Sequence, residues 1–406
     1  MAPAPRMQDA LYHDVLSPEE TLAVRSEVRA FAAEYVAPVA ERLANADEAV
    51  ALFPRETFSA MTEHGLFEIP FPADVGGRGL RYPASATVAT LEELAYWSNS
   101  VAAIYDVHCI LAGHALERDR GASRAELLGP IVRGEIVAAF ATSEPATSSD
   151  LSPGALETEA TPVEGGWVVS GRKRWISNAP VADLVVCLCR EGARLTALAI
   201  DLGAPGVRVG EPDHKMGNRG QLTADIVFDG VFVPATRVVG GQGEGLRVAL
   251  QALTYGRIGI GAAGVGMAQR CFDESVARLK ERRVFGRLLG ESQHWQFKMA
   301  ERATELENAR SLYLKAALRL DAGVRSPEPE AAMAKHYGSA LAVELSRDAV
   351  QIFGGYGYVH HLGDDGAFLS IESLYRDAKV GEIYEGANEI QKWIIAREIF
   401  GRDLTG

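Results

Sequence analysis

Cysteine is scarce in this sequence, with four residues among 406. Four thiols cannot staple a chain of this length, so a disulfide framework is excluded as the basis of the fold and a reducing compartment is expected. No uncharged apolar run approaches the roughly 18 residues of a membrane-spanning helix. Met1 to Asp14 holds an early acidic residue, Asp9, and no apolar core, so it does not read as a secretory leader. Positive charge is short as well, since 41 Lys and Arg stand against 54 Asp and Glu, a formal net charge of −13. An acidic chain lacks the basic face that phosphate backbones need, so nucleic acid is not an expected partner. His360-His361 has no third ligand near it in sequence, so no metal is expected. These absences describe a cytoplasmic protein with no membrane or nucleic-acid partner.

What remains is ordinary globular material, 47% hydrophobic and 23% charged, long enough for two or three domains around a large core. The periodicity divides it into three stretches. Residues 1–137 form an N-terminal helical domain. Ser17-Pro18-Glu19-Glu20 reads as a helix start with Ser17 as N-cap and Pro18 at the first helical position. Ala23, Val24, Val28, Phe31, Tyr35 and Val36 then recur at helical steps. Further helices are expected over 54–64, 84–97 and 100–117.

Residues 138–240 change period. Short β-branched runs, 167–169, 184–189, 195–200, 226–228 and 231–233, are separated by turn clusters such as Glu164-Gly165-Gly166 and Asp229-Gly230. They predict a small β-sandwich or barrel. Residues 241–406 return to helical spacing, with helices expected over 243–280, 291–322, 328–352 and 388–402, as in a four-helix bundle. Helices, strands and helices in blocks make an α+β protein and not a doubly wound parallel sheet.

Several motifs carry chemistry. Gly354-Gly355-Tyr356-Gly357 follows a helix and not a strand, so it fails the context of a dinucleotide fingerprint and reads locally as a helix C-terminal turn. Phe140 to Asp150 is rich in Ser and Thr, able to meet the polar edge of a ligand, though alone it would pass for a solvated loop. Trp175 and Ser177 are two residues apart and would share one face of a strand, where they could cover and hydrogen-bond a flat ring. Glu385 lies in an apolar setting just before a helix, beside Gly386. Desolvation there would raise its pKa towards that of a useful base, whereas an ordinary helix-start Glu only complements the dipole.

Order and spacing join these pieces. Thr142-Ser143-Glu144-Pro145, Gly171 to Ala179, Lys215-Met216-Gly217, Gly256-Arg257-Ile258-Gly259-Ile260, Arg282-Arg283-Val284-Phe285-Gly286, Gln351 to Gly357 and Ile383-Tyr384-Glu385-Gly386 resemble, over almost the whole chain, the acyl-CoA dehydrogenase flavoprotein family. The resemblance implies that family's three-domain fold and FAD as cofactor. It implies that Phe140, Thr142, Ser143, Ser149, Trp175 and Ser177 lie along the flavin. Arg282, Gln293, Gln351 and Gly355 would hold the FAD of a neighbouring subunit. Ala387, Asn388 and Glu389 would open a helix onto its phosphate-bearing half. A shared site of this kind implies an oligomer, a homotetramer built as a dimer of dimers.

By the same resemblance Glu385 is the catalytic base, removing the pro-R α-proton of an acyl thioester while the β-hydrogen leaves as hydride to flavin N5. Its backbone N–H and a ribityl hydroxyl would polarise the thioester carbonyl. Ser149, Thr254, Arg257 and Gly386 match substrate-binding positions. Some members place the base just before the arginine matching Arg257, and here that position is Gly256. The chain departs from the pattern at Thr254, where an acidic residue is common, in Ala146-Thr147-Ser148, which lacks glycine, and at Asn218 and Gln221. The acyl group could therefore be carried by CoA or by a carrier protein, and be short, polar or branched. Electron-transfer flavoprotein, or another acceptor, would take the electrons. The rival functions are oxidation of a carrier-bound acyl or aminoacyl group, a flavin oxidase or monooxygenase, and a scaffold without catalysis. Asp106, His108 and His114 lie on a helix that could border the acyl pocket, with core packing the plainer account of the histidines and Asp106 a substrate contact at most. Cys187 and Cys189 read as core.

Overall fold

The structure is a computed structural model that describes Arg6, residues 16–117, Gly121 and residues 124–405. Apart from Arg6, the segment Met1–Asp14 lies outside the described residues.

The first layer holds helices α1 (Glu19–Phe31), α2 (Ala37–Asn45), α3 (Arg55–Glu63), α4 (Pro83–Trp97) and α5 (Asn99–Tyr105). Helix α1 begins one residue later than its sequence suggests. Pro18, with ψ 144°, is itself the cap, and its carbonyl accepts from Leu22 N at 3.0 Å. Helix α4 is buried nearly all round, from Ala84 to Ala95, because other helices cover it on several sides. Helix α5 runs straight on into a wider π-helical stretch, Asp106–Gly113, which no local sequence signal announces.

The middle layer is one eight-stranded sheet. Its strands are β1 (Ala138–Ala141), β2 (Glu159–Val163), β3 (Gly166–Ser177), β4 (Leu184–Glu191), β5 (Arg194–Asp201), β6 (Val207–Val209), β7 (Thr223–Pro234) and β8 (Val238–Val239). The order is β6-β7-β3-β2-β4-β5-β8, with β1 parallel to β4. Strands β2 and β4 share only the register pair Glu159–Arg190, so the sheet folds there into two halves. Between the halves lies a separate core of Val169, Ile176, Cys187, Leu198, Ile226 and Val231. Cys187 and Cys189 are buried in it as free thiols. Asp229-Gly230 is not a turn between two strands. It sits inside the single twelve-residue strand β7, where the register shifts against β3 and Gly230 takes φ 66°. A bulge uses the same left-handed glycine as a turn, which is why the two look alike in sequence.

The last layer contains α6 (Gly245–Glu281), α7 (Gln293–Asp321), α8 (Glu328–Phe353), α9 (Ile371–Val380) and α10 (Asn388–Phe400). Helix α6 has 37 residues and so spans about 55 Å. It meets α8 backbone to backbone, since a Cβ on Gly338 would lie 2.4 Å from Gly261 O. Helix α9, which sequence periodicity did not mark, leads directly into the loop carrying Glu385.

A buried carboxylate ties the first and last layers. Glu92 on α4 pairs with Arg310 at 2.9 Å and Arg25 at 3.3 Å, and it accepts from the Tyr313 hydroxyl. These partners hold its pKa far below the usual carboxylate range despite full burial. Among the described residues no helix is long and apolar enough to cross a membrane.

Candidate active site

Glu385 stands in the short loop between α9 and α10. Its φ of 52° is left-handed, and Gly386 follows at 90°. A non-glycine residue in that region is strained and persists only where neighbours over-determine it. The neighbours here are side chains. Lys335 Nζ and Gln391 Nε2 each donate to Gly386 O at 2.8 Å, and Arg257 Nε donates to Glu385 O at 3.4 Å. Lys335 also donates to Asn388 Oδ1 at 3.0 Å, while Asn388 Nδ2 donates to Ser339 Oγ at 3.1 Å. The carbonyls of 385 and 386 are thus occupied, whereas the N–H of Glu385 has no acceptor among the described residues.

Lys335 is fully buried, and nothing in its sequence neighbourhood marks it. Burial pushes its pKa down to about 7, with Glu385 pulling it back up. Burial likewise raises Glu385 above the usual carboxylate range, opposed by the adjacent Asp106 carboxyl and by the Lys335 and Arg257 charges. Glu385 is part-buried as a residue, and its Oε2 atom is closed off from solvent and has no hydrogen-bond partner.

The wall facing this oxygen comes from α6 and from the helical run 99–113. A Cβ on Gly256 would lie 2.0 Å from Glu385 Oε2 and 2.8 Å from Leu111 Cδ2. Three residues on, a Cβ on Gly259 would lie 2.6 Å from Asp106 Oδ1 and 2.7 Å from Leu91 Cδ1. Glycine at both positions makes room for two carboxyls against an apolar wall. The run carrying Asp106 is also fastened to the sheet. His108 Nε2 lies 2.9 Å from Ile131 O, and His108 Nδ1 accepts from Ala138 N at 3.2 Å. Those bonds set a neutral Nε2–H tautomer, and burial lowers the ring's pKa to about 4. His108 is a satisfied core histidine, and His114 packs its ring edge-on to Tyr255. Thr254 is buried and donates to Leu250 O at 2.7 Å, one turn back on its own helix, so its hydroxyl is engaged there.

The sheet brings a second set of sequence-marked residues together. Strand β1 ends at Phe140-Ala141 and leads into Thr142-Ser143-Glu144-Pro145. Arg174 N donates to Ser143 O at 2.9 Å, which lays this loop beside the end of β3. The clamp is a fully buried ion pair. Lys173 Nζ donates to Glu144 Oε1 at 2.8 Å and to Thr142 O at 3.1 Å. Glu144 also accepts from Glu157 N and Thr158 N, so both of its carboxylate oxygens are engaged. At the adjacent bulge Trp175 takes φ 57° and is 57% exposed as a residue. An indole held in strained backbone and presented to the outside is a ready platform for a flat ring. Thr142, Ser143 and Ser177 are part-buried, and Ser149 is exposed.

Arg282 and Gly355 line a separate cavity of about 530 Å³ with Arg278, Gly354, Tyr356 and Asp365. Gln293 and Gln351 are exposed and are not among its lining residues, and neither is Trp175. Helix α10 starts at Asn388 with Ala387 as cap and no side-chain capping bond. Asn388 N donates to Glu382 O at 3.0 Å and Ile390 N to Ala387 O at 2.9 Å, which leaves the N–H of Glu389 in the first turn for an anion. Of the three residues expected there, Ala387 and Glu389 are at least partly exposed, while Asn388 turns its amide inward to Lys335 and Ser339. His360 and His361 are exposed, and no group of three His, Cys, Asp or Glu among the described residues could hold a metal.

Family models match three consecutive parts of the chain. They are acyl-CoA dehydrogenase, N-terminal domain, over 18–135, the middle domain over 139–231 and the C-terminal domain over 243–400. The chain is 34% identical to a 3-(aryl)acrylate reductase of Clostridium sporogenes, over 94% of this chain and 98% of that protein. It is also 34% identical to an acyl-CoA dehydrogenase of Bacillus subtilis, again over 94% and 98%. Among solved structures, butyryl-CoA dehydrogenase from Megasphaera elsdenii superposes with a TM-score of 0.86 at 28% identity, covering 94% of this chain and 98% of that one.

Proposed function

The chain belongs to the acyl-CoA dehydrogenase family, and on that premise we propose that it oxidises the Cα–Cβ bond of an acyl thioester with Glu385 as the base. The observation that carries this assignment is the Oε2 atom of Glu385. It is buried, without a donor, and aimed at the side-chain-free surface of Gly256. A carboxylate in that state is a stronger base than one in water. The acyl Cα would lie against Oε2, which takes its proton, while the electron pair of the Cβ–H bond departs as hydride. The enoyl thioester remains. The free N–H of Glu385 is available to the thioester oxygen, where enolate charge develops. Lys335 and Arg257 hold the loop carbonyls and so keep that N–H and the carboxylate in register.

FAD, when bound, supplies the hydride acceptor. The residues present fit it. The exposed Trp175 ring, the Thr142-Ser143 loop and Ser177 would hold the ring system, and the uncapped start of α10 would meet its phosphates. Arg282 and Gly355, apart from Trp175 in one chain, suit a site completed between subunits. The exposed Phe285, Phe297, Tyr358, Ile399 and Phe400 support burial in a homotetramer. The two electrons would leave to electron-transfer flavoprotein. The same groups can run backwards, with a protonated Glu385 delivering to Cα, and the acrylate reductase relative favours testing that direction.

Glu385→Gln tests the assignment. The variant is expected to keep FAD and to lose about 10²–10⁴-fold in turnover of a panel of acyl-CoA thioesters. Undiminished turnover removes Glu385 from the chemistry. Running one acyl group on CoA and on carrier protein separates the two possible carriers, and fast peroxide formation would point to an oxidase instead.

A further inference from the structure

We propose that Asp106 is a positioning residue for Glu385: its carboxyl holds a proton directed at Glu385, so that the pair carries a single negative charge and Glu385 bears it. This rests on the assignment of Glu385 as the base. It goes further by naming the group that sets the protonation state of that base.

The geometry is the starting point. Asp106 is 1% exposed and lies in the π-helical stretch that crosses behind the catalytic loop. Both its carboxyl oxygens, and Oε2 of Glu385, are buried without a hydrogen-bond donor among the described residues. Gly256 and Gly259 give the two carboxyls adjoining spaces on one face of α6. Leu91, Ile110 and Leu111 supply the apolar part of the surroundings. A carboxylate in such a place with no donor is expensive, and two side by side repel. One proton shared between them removes both penalties. It turns an acceptor–acceptor contact into a hydrogen bond and leaves one charge.

The surroundings decide which carboxyl keeps the proton. Tyr105 and Cys109 lie near Asp106 on its own helical run, with the Tyr105 hydroxyl donating to Leu66 O at 3.1 Å, and Tyr255 lies near it from α6. Tyr384 adjoins both carboxyls from the loop. Burial raises all four of these groups, so they are neutral at working pH. The cations Arg257 and Lys335 act on Glu385 and not on Asp106. The negative charge therefore settles on Glu385, and Asp106 is driven well above the usual carboxylate range by burial and by the neighbouring charge. His108 is neutral and turned to Ile131 and Ala138, so it does not compete. A base in this setting is ionised when substrate arrives, yet is buried enough to take a weakly acidic α-proton. Asp106 meanwhile fixes the rotamer of the carboxylate.

Two measurements test the pair, one of them independent of any substrate. Infrared difference spectra of the FAD-loaded enzyme at neutral pH are expected to show a protonated-carboxyl band in wild type minus Asp106→Asn. The same band should be absent from wild type minus Glu385→Gln, which should show an ionised carboxylate instead. The protonated band appearing in the Glu385→Gln difference, or in neither, overturns the proposal. In the pH profile of kcat/KM, Asp106→Ala removes the donor and should move the acidic limb up by about one unit. Asp106→Asn keeps a donor and should stay near wild type. Downward movement in both variants would mean that Asp106 is ionised, and no movement in either would mean that it does not act on the base. Both results refute the pair. If no acyl thioester is turned over by wild type, the proposed function fails, while the infrared arm still decides where the proton sits.

Discussion

Replacing Gly256 with Ala should separate stability from activity. The added methyl would sit 2.0 Å from Glu385 Oε2, 2.8 Å from its Cδ and 2.8 Å from Leu111 Cδ2. None of these atoms is backbone, and two belong to the flexible end of a side chain, which gives up its contact with Asp106 when it moves. The carboxyl can therefore swing aside. Alanine in a helix interior gains about 0.5–1 kcal/mol over glycine, while crowding at Leu111 costs about 1–3 kcal/mol. The net change in folding stability should stay within about 2 kcal/mol. The base, however, is displaced by more than an ångström. A misplacement on that scale costs about 10²-fold in rate, because the reacting atoms no longer meet at attack distance. The assay pairs thermal unfolding and FAD content with kcat on an acyl-CoA substrate. Near-native melting and flavin loading with turnover down about a hundredfold is the expected outcome. Wild-type turnover would refute the reasoning, since the carboxylate could not then be working from its place against Gly256.

Other sites should respond differently. Glu92→Ala leaves Arg310 and Arg25 buried with their shared partner gone, and should cost about 3–5 kcal/mol in chemical denaturation. Because its folded pKa lies below the unfolded value, the stability from Glu92 is present above the ordinary carboxylate range. It is lost as pH falls below that range, and the mutant's deficit should shrink in acid. Lys335→Met breaks the charged bond to Gly386 O, worth about 1.5–3 kcal/mol, and should lower kcat more than flavin content. Lys173→Met strands Glu144 and frees the Thr142-Ser143 loop, so FAD affinity measured by fluorescence titration should fall, with stability down about 3–5 kcal/mol.

The order of layers was legible because hydrophobic period is a local property. The spacing of Val24, Val28 and Phe31 and the β-branched run at Leu184–Cys189 each declare their element without help from distant residues. Strand β2 was not legible, since Pro162 interrupts its short span between exposed Thr161 and Val163 and only pairing with β3 makes it a strand. The bulge at Asp229-Gly230 carries the chemistry of a turn. At the site, Glu385 and Trp175 stood out as a lone carboxylate and a lone aromatic in motif context. Asp106 was read only as a substrate contact, and Lys335 and the Lys173–Glu144 pair did not stand out. Their importance comes from burial against partners 51, 29 or more positions away, which no local pattern encodes. Of the six glycines of α6, Gly256 and Gly259 find their physical reason only in the carboxyls opposite them.

The central claim is that the Glu385 carboxylate takes a proton from the carbon next to a thioester. An acyl-CoA analogue with sulfur in place of the β-carbon can lose an α-proton but cannot be oxidised, so it isolates that step. Incubated in deuterated water and followed by proton NMR, the wild-type enzyme with FAD bound should exchange the analogue's α-hydrogen, while Glu385→Gln with equal FAD content should not. Equal exchange in the two proteins would contradict the account.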